Sequence, residues 1–197
     1  MGKSEPHCVF AERDAGTSWR RLRERDGILI QITKARDLAD FREAGQLIAE
    51  MGRWDVAQCD AFGLPSGEVL STYYSDDSDG LMRKFTQPRS GLYLARDDAS
   101  AMGCVGHLSD GDNSEITKFF VRTEARGKGI GRGLLSAALE AIREGGPGRI
   151  RLVTISFMTD AIALYRGFGF VACEPFAAAP KGLEEATRYM ALPSAAA

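Results

Sequence analysis

A run of glycines and basic residues in the second half of the chain has the composition of an anion-binding loop. It spans Arg126–Gly133 and reads Arg-Gly-Lys-Gly-Ile-Gly-Arg-Gly. Alternating glycines let a backbone turn sharply and approach a ligand, and the unpaired N–H groups of a following helix point towards negative charge. This combination favours phosphate as the ligand, although a purely structural turn would also use glycine.

The residues on either side of this run predict a strand, a loop and a helix in that order. Glu115–Val121 is rich in β-branched and aromatic residues, which is typical of a strand. After the loop, apolar residues recur every four positions: Ile130, Leu134, Ala138 and Ile142. Gly145–Gly148 contains a proline and predicts the end of this helix.

Two familiar phosphate-binding motifs do not fit the run. A P-loop places Ser or Thr after its lysine to hold magnesium, whereas Lys128 is followed by Gly129. A dinucleotide fingerprint needs a third glycine three positions after its second, and Arg132 stands there instead, after Gly127 and Gly129. The loop therefore requires a different match.

A third match is supported by a second segment further along the chain. Arg126–Gly131 resembles the pyrophosphate loop Arg/Gln-x-x-Gly-x-Gly/Ala of the GNAT superfamily of acyl-CoA-dependent N-acetyltransferases. Ala161–Phe170 resembles the second cofactor-binding segment of the same superfamily, Ala-x-x-Leu-Tyr-x-x-x-Gly-Phe. With its weaker flanking elements, the resemblance covers roughly Gly27 to Leu192.

The resemblance implies an enzyme that transfers an acetyl group from acetyl-CoA to a primary amine, without a metal. Direct attack in a ternary complex is expected, because no cysteine lies in a recognisable nucleophile setting. The pyrophosphate would bind the amides of residues 127–131, and the pantetheine arm would pair with the backbone at residues 120–121. The predicted cofactor-binding residues are Phe120, Val121, Arg126, Gly127, Lys128, Gly129, Ile130, Gly131, Arg132 and Gly133.

The resemblance also implies candidates for proton transfer. Tyr165 stands where the superfamily often places a phenol that protonates the departing thiolate, although a tyrosine packed against the sheet is the plainer interpretation. Glu115 is the first candidate for the base, since related enzymes place a carboxylate at this position facing the acceptor. His107 is the second candidate base, and a water chain is the third.

One position departs from the superfamily pattern. Many relatives carry an asparagine seven residues before the tyrosine, where this chain has Met158. The side-chain contact that the asparagine makes with the cofactor is therefore lost or replaced, and Ser156 and Thr159 are the polar substitutes nearby. The backbone loop does not depend on this contact.

Composition sets limits on partners and compartment. The 197 residues carry 25 basic and 27 acidic side chains, so no global field attracts nucleic acid or an acidic membrane. The cluster of Arg122, Arg126, Lys128 and Arg132 is interpreted as a clamp for one small anion, with a solvated charged face as the alternative. The four cysteines lack zinc-site spacing and are expected to be free thiols. No apolar run reaches the ~20 residues that span a bilayer, so a cytoplasmic protein is expected.

The fold class that the resemblance implies is a mixed, mostly antiparallel α/β sheet of about six to seven strands flanked by helices. Residues 1–26 are predicted to be a flexible extension or a short helix, residues 27–192 one acetyltransferase domain, and residues 193–197 a tail. Asp37 is predicted to cap a helix that buries residues up to Met51, followed by a less regular stretch with an acidic loop at Asp76–Gly80. A homodimer is one assembly that the sequence allows.

Two rival functions remain at this stage. An acyl-CoA-binding or regulatory module would keep the fold and lose the chemistry, with Glu115 and Tyr165 serving only structure. A nucleotide-phosphate enzyme would use the same loop and bind nucleoside triphosphate with magnesium. The amine acceptor is not identified by any motif, and the acidic loop is more simply a solvated one.

Overall fold

A single mixed sheet forms the centre of the molecule. The computed structural model describes residues 20–23, 29–98, 100–146 and 148–193. Within this part of the chain the strands are Arg20–Arg23 (β1), Leu29–Lys34 (β2), Gly91–Arg96 (β3), Ala101–Asp110 (β4), Asn113–Val121 (β5), Arg149–Ile155 (β6), Val171–Ala172 (β7) and Thr187–Ala191 (β8). Their order across the sheet is β1-β2-β3-β4-β5-β6-β8-β7, and β5 and β6 are the parallel neighbours.

Five helices cover the sheet in the described part of the chain. They are Leu38–Ala61 (α1), Ser66–Tyr73 (α2), Ser78–Phe85 (α3), Ile130–Glu144 (α4) and Thr159–Gly167 (α5), with a 3-10 turn at Thr123–Ala125. The Asp37 side chain accepts a hydrogen bond from the Asp40 N–H at 3.0 Å and so caps α1, as predicted. Asp77 caps α3 in the same way.

Apolar side chains fill both faces of the sheet. Helix α4 packs against one face through its periodic stripe, including Leu134, Leu135 and Leu139. Helices α1 and α3 cover the other face, where Phe41 and Phe85 are fully buried. The alternation of side chains along each strand therefore decides which face a residue meets.

The sheet opens between β5 and β6. These strands pair from Asn113 to Ile116 and from Arg149 to Leu152, but β5 continues to Val121 beyond the last pair. In the same stretch β5 carries a bulge opposite β4, and Lys118 adopts a left-handed φ of 51°. The opening and the bulge lie beside the two cavities described below.

The predicted fold class is confirmed, with three differences in detail. The strand count in the described residues is eight, because Arg20–Arg23 pairs with β2 inside the predicted extension. The rest of residues 1–26 and the tail from 194 lie outside the described residues. Helix α1 runs ten residues beyond Met51, and the predicted acidic loop forms the start of α3. No helix in the described ranges is both long and apolar enough to cross a membrane.

Candidate active site

A large cavity lies where the N-terminus of α4 meets the end of β5 and the start of α5. Its volume is about 640 Å³. Eight of the ten predicted cofactor-binding residues line it: Phe120, Val121, Arg126, Gly127, Gly129, Ile130, Gly131 and Arg132. Lys128 is exposed beside the cavity, and Gly133 is buried inside α4, where its N–H donates to the Gly129 carbonyl at 3.0 Å. The Gly133 amide is therefore already used by the helix.

The glycines of the loop have the backbone conformation that an anion cradle requires. Gly127 and Gly129 have φ angles of 77° and 80°, in the left-handed region that favours glycine. A Cβ at either position would meet no protein atom within 4 Å, so both face open space. Gly129 is the N-cap of α4 and offers no side-chain cap, which leaves the N–H groups of the first turn for a ligand.

Gly131 serves close packing instead. A Cβ there would lie 3.3 Å from the Phe119 ring and 3.4 Å from Leu164 Cδ2. Because Gly131 has no Cβ, the first turn of α4 can lie close to both β5 and α5. The loop is therefore held against the two elements that carry the rest of the site.

The basic residues of the predicted clamp separate into two groups. Arg126 donates from Nε to the Val121 carbonyl at 3.0 Å, and its guanidinium lies 5.2 Å from the Trp54 ring, so it is fixed at the cavity wall. Arg132 also lines the cavity. Arg122 instead forms a bidentate ion pair with Glu50, with N–O distances of 2.8 and 2.6 Å. Arg122 does not line the large cavity, so the structure gives no support to its predicted part in the phosphate clamp.

A small cavity of about 90 Å³ adjoins the large one. The two share five lining residues: Met51, Asp55, Phe119, Met158 and Ala161. The small cavity is also lined by tyrosines at 73, 74 and 165 and by the charged residues Glu115 and Lys118. Ligand sites for whole small molecules are commonly ~300–1,000 Å³, so this space admits one end of a molecule.

Tyr165 lies in the small cavity with its ring buried. The ring centroid is 5.7 Å from that of Phe119 and 5.9 Å from that of Phe170, and the residue is 5% exposed. Burial raises the pKa of the phenol above its ordinary value of 10. No hydrogen bond to the hydroxyl is found within the described residues. The phenol is thus protonated at neutral pH and has its proton available.

Glu115 lies on β5 and lines the small cavity half-buried. Burial raises the pKa of its carboxyl, and the guanidinium of Arg151 on the neighbouring strand opposes this rise. The structure therefore brings Glu115 and Tyr165 to one cavity, across 50 residues of chain.

His107, the second candidate base, lies elsewhere. It is 2% exposed on β4, and its ring stacks on Tyr93 at 6.0 Å under α4, the face of the sheet opposite Glu115. Burial and the Lys34 ammonium lower the pKa of His107 to about 4. It lines neither cavity. The prediction that His107 reaches the same cleft is wrong, because strand alternation turns it to the other face.

Met158 lies at the junction of the cavities. It is the N-cap of α5, and its sulfur accepts a hydrogen bond from the Thr154 hydroxyl at 3.3 Å. Of the two polar substitutes considered for the missing asparagine, Thr159 lines the large cavity and Ser156 lines a separate pocket.

Asp55 is a site residue that the sequence analysis missed. It lies in the part of α1 beyond Met51, on the row that buries Ile48, Gly52 and Cys59. A carboxylate on an otherwise apolar stripe is the signal that would have identified it, once the helix is extended. Asp55 is 2% exposed and lines both cavities.

The fold and the site combine an anion cradle at a helix N-terminus with an adjoining small cavity. The sequence profile of the acetyltransferase (GNAT) family matches residues 56–170, more than half of the chain. The chain belongs to this family.

Curated relatives agree with the assignment. The chain is 30% identical to an IAA acetyltransferase from Azospirillum brasilense over 128 residues, covering 63% of this chain and 82% of the relative. It is 32% identical over 104 residues to an uncharacterised N-acetyltransferase from Schizosaccharomyces pombe, covering 51% of this chain and 64% of that protein. It is also 32% identical to an uncharacterised Escherichia coli N-acetyltransferase, over 47% of this chain and 58% of that protein.

Solved structures match the fold over most of the chain. A GNAT-family acetyltransferase from Staphylococcus aureus Mu50 superposes with a TM-score of 0.64 at 18% identity, over 83% of this chain and 98% of that one. The PaiA N-acetyltransferase of Thermoplasma acidophilum, solved in complex with coenzyme A, gives the same score, identity and coverage. At this level of identity the likeness establishes the fold.

Proposed function

We propose that the protein is an N-acetyltransferase that moves an acetyl group from acetyl-CoA to a primary amine by direct attack in a ternary complex. The observation that carries this proposal is the junction of the two cavities. One is lined by the glycine cradle, and the other by tyrosines and carboxylates. The N-acetyltransferase names of the relatives and the coenzyme A bound to the Thermoplasma enzyme support the same conclusion.

In this proposal the cofactor's pyrophosphate binds the first-turn amides of α4 in the loop of Gly127 and Gly129. A helix N-terminus favours an anion by ~0.3–1 kcal/mol per contact, and Arg126 adds charge at the wall. The pantetheine arm lies along Phe120 and Val121, where β5 has lost its pairing with β6. Its amides then pair with backbone groups on this edge of β5 as an added strand.

Proton transfer needs two groups in this proposal. Tyr165 donates a proton to the sulfur as the C–S bond breaks, because its phenol is protonated and its ring lies 5.7 Å from that of Phe119, which lines both cavities. A carboxylate takes a proton from the acceptor ammonium so that its nitrogen can form the C–N bond. Glu115, the carboxylate predicted from the sequence, and Asp55 both line the small cavity.

Ligand-dependent stability is the first test. Thermal melts are recorded with acetyl-CoA, with coenzyme A, and with ATP plus magnesium. At about 100 times its dissociation constant, a specific ligand stabilises the folded state by about 2.7 kcal/mol. A shift with the coenzymes and none with ATP is expected, and the reverse pattern would favour a nucleotide-phosphate enzyme.

Turnover separates an enzyme from a binding module of the same fold. Acetyl-CoA is incubated with n-butylamine and with a lysine amide blocked at its α-amino group, and free coenzyme A is measured by chromatography. Amine-dependent release is expected. Tight coenzyme A binding without release across a broad amine panel would support the acyl-CoA-binding module.

A further inference from the structure

We propose that Asp55 binds the acceptor's amino group and takes its first proton at the point where the two cavities meet. The inference rests on the proposed function, which supplies the amine and the thioester. It assigns the base to a residue of α1 rather than to Glu115 on β5.

The position of Asp55 is the first reason. The attacking nitrogen must come within about 3–3.5 Å of the thioester carbon, and a base must lie within hydrogen-bond reach of that nitrogen. A thioester held in the large cavity is met by an amine from the small one at their junction. Among the five residues shared by the two cavities, Asp55 is the one with a titratable side chain. Glu115 lines the small cavity and not the large one.

The second reason is an unpaired oxygen. Asp55 Oδ2 accepts a hydrogen bond from the Tyr74 hydroxyl. Oδ1 is buried and has no hydrogen-bond partner within the described residues. A buried polar atom without a partner costs free energy and is rare, so it calls for an explanation. The N–H of a bound amine supplies the missing donor.

The surroundings hold the carboxylate in one orientation. A Cβ at Gly52, one turn before Asp55, would lie 3.2 Å from the Tyr74 ring, so the glycine lets that ring pack against α1. The Lys118 ammonium lies 5.2 Å from the centroid of the same ring and donates to the Tyr73 carbonyl. Tyr74 is thus fixed between α1 and β5 and presents its hydroxyl to Asp55.

The electrostatic environment suits proton transfer near neutrality. Burial raises the pKa of Asp55 from 3.8 to about 6, while the Tyr74 hydrogen bond and the Lys118 charge act in the opposite direction. Cys59 faces Asp55 from the same helix with its pKa raised, so its thiol is neutral. Asp55 is therefore ionised at neutral pH and loses its charge below about pH 6. The other charged groups that line the two cavities are Glu115, Arg126, Arg132 and Asp160.

The proton balance of the step is complete. Asp55 takes one proton from the ammonium, the free nitrogen forms the C–N bond, and the C–S bond breaks. The nitrogen loses a second proton as the amide forms. One of these two protons reaches the sulfur of coenzyme A through Tyr165. The other passes from Asp55 to solvent.

A binding experiment tests the site without requiring turnover. The protein is labelled with ¹³C at aspartate carboxyl carbons and saturated with coenzyme A, and n-butylammonium chloride is titrated in. A saturable shift of the Asp55 signal, assigned with Asp55→Asn, is expected. Asp60→Asn is the matched control, since Asp60 is exposed on the same helix. No perturbation of Asp55 at saturating coenzyme A would overturn the inference.

A kinetic experiment tests the proton transfer with whichever probe amine is acetylated. The wild-type kcat/KM is expected to fall below about pH 6. Asp55→Asn should lower kcat/KM about 100-fold or more at pH 7.5. Glu115→Gln should keep the fall of kcat/KM at low pH, its acid limb. Tyr74→Phe removes a hydrogen bond that stabilises the carboxylate, so its acid limb should move to higher pH. If Asp55 and Tyr74 served only the structure, Tyr74→Phe would leave the pH of the acid limb unchanged.

The outcomes separate the two proposals. If Glu115→Gln abolishes the acid limb and Asp55→Asn keeps it, the inference is overturned and the acetyltransferase stands. If n-butylammonium binds through Asp55 but no amine is acetylated, the amine site stands and the proposed function fails.

Discussion

Asp55 is expected to lower the stability of the folded protein at neutral pH. The size of this effect can be measured with the variant Asp55→Asn. The pKa of Asp55 rises from 3.8 in the unfolded chain to about 6 in the fold, because burial disfavours the charged form. Each tenfold change in proton affinity corresponds to about 1.4 kcal/mol. Ionised Asp55 therefore destabilises the folded state by about 3 kcal/mol above pH 6.

The sign follows from proton linkage. Between pH 3.8 and 6 the folded state binds more protons at Asp55 than the unfolded chain does, so the contribution of Asp55 to stability falls as pH rises. His107 acts in the opposite direction, since its pKa is lowered to about 4 and its contribution grows as pH rises from 4 to 6.5. Because His107 is present in both proteins, its effect cancels when variant and wild type are compared.

The assay is urea denaturation of both proteins without ligands, from pH 3.5 to pH 8. Asp55→Asn keeps an acceptor for the Tyr74 hydroxyl and carries no charge. Its free energy of unfolding, minus that of the wild type, should rise by about 3 kcal/mol across this range. Asp60→Asn should give a flat difference. If the difference in unfolding free energy for Asp55→Asn also stayed constant with pH, the reasoning that burial destabilises the ionised carboxylate would be refuted. A cost of this kind is expected of a residue retained for function.

Three further predictions address the cofactor and the proton donor. Gly129→Ala should weaken coenzyme A binding at least tenfold by calorimetry. Gly111 has a comparable left-handed φ and open Cβ space, so Gly111→Ala and Gly129→Ala should each cost ~1–2 kcal/mol of stability, but Gly111→Ala should not change the affinity. Equal affinity losses would point to general destabilisation. Tyr165→Phe should lower kcat ~100-fold or more and leave the melting temperature unchanged, since the ring contacts remain; a kcat within threefold of wild type would remove the phenol from the mechanism. Arg126→Gln should weaken coenzyme A binding up to about fivefold, and Arg122→Gln should not, because Glu50 already holds Arg122; the opposite ranking would contradict the assignment.

The loop and helix N-terminus where we place the cofactor could be predicted from the sequence because their backbone chemistry is local. A strand, a glycine loop and a helix N-terminus follow one another within about thirty residues, and their backbone conformations depend on residue type more than on distant contacts. The left-handed glycines at 127 and 129 and the bounds of α4 agree with that prediction. The second contiguous motif carries Tyr165 on α5, a helix whose residues line both cavities.

The lining of the small cavity, where we place the acceptor, was decided by tertiary structure. Asp55 and Tyr74 meet only because α1 continues past Met51 and Gly52 leaves room for the ring. Arg122 pairs with Glu50, 72 residues away in the chain, and does not line the large cavity. Strand alternation, set by the sheet register, sends His107 to the opposite face from Glu115. Residue types along the chain determine which backbone shapes are available, but the charge state and the partner of a buried group depend on what packing brings against it.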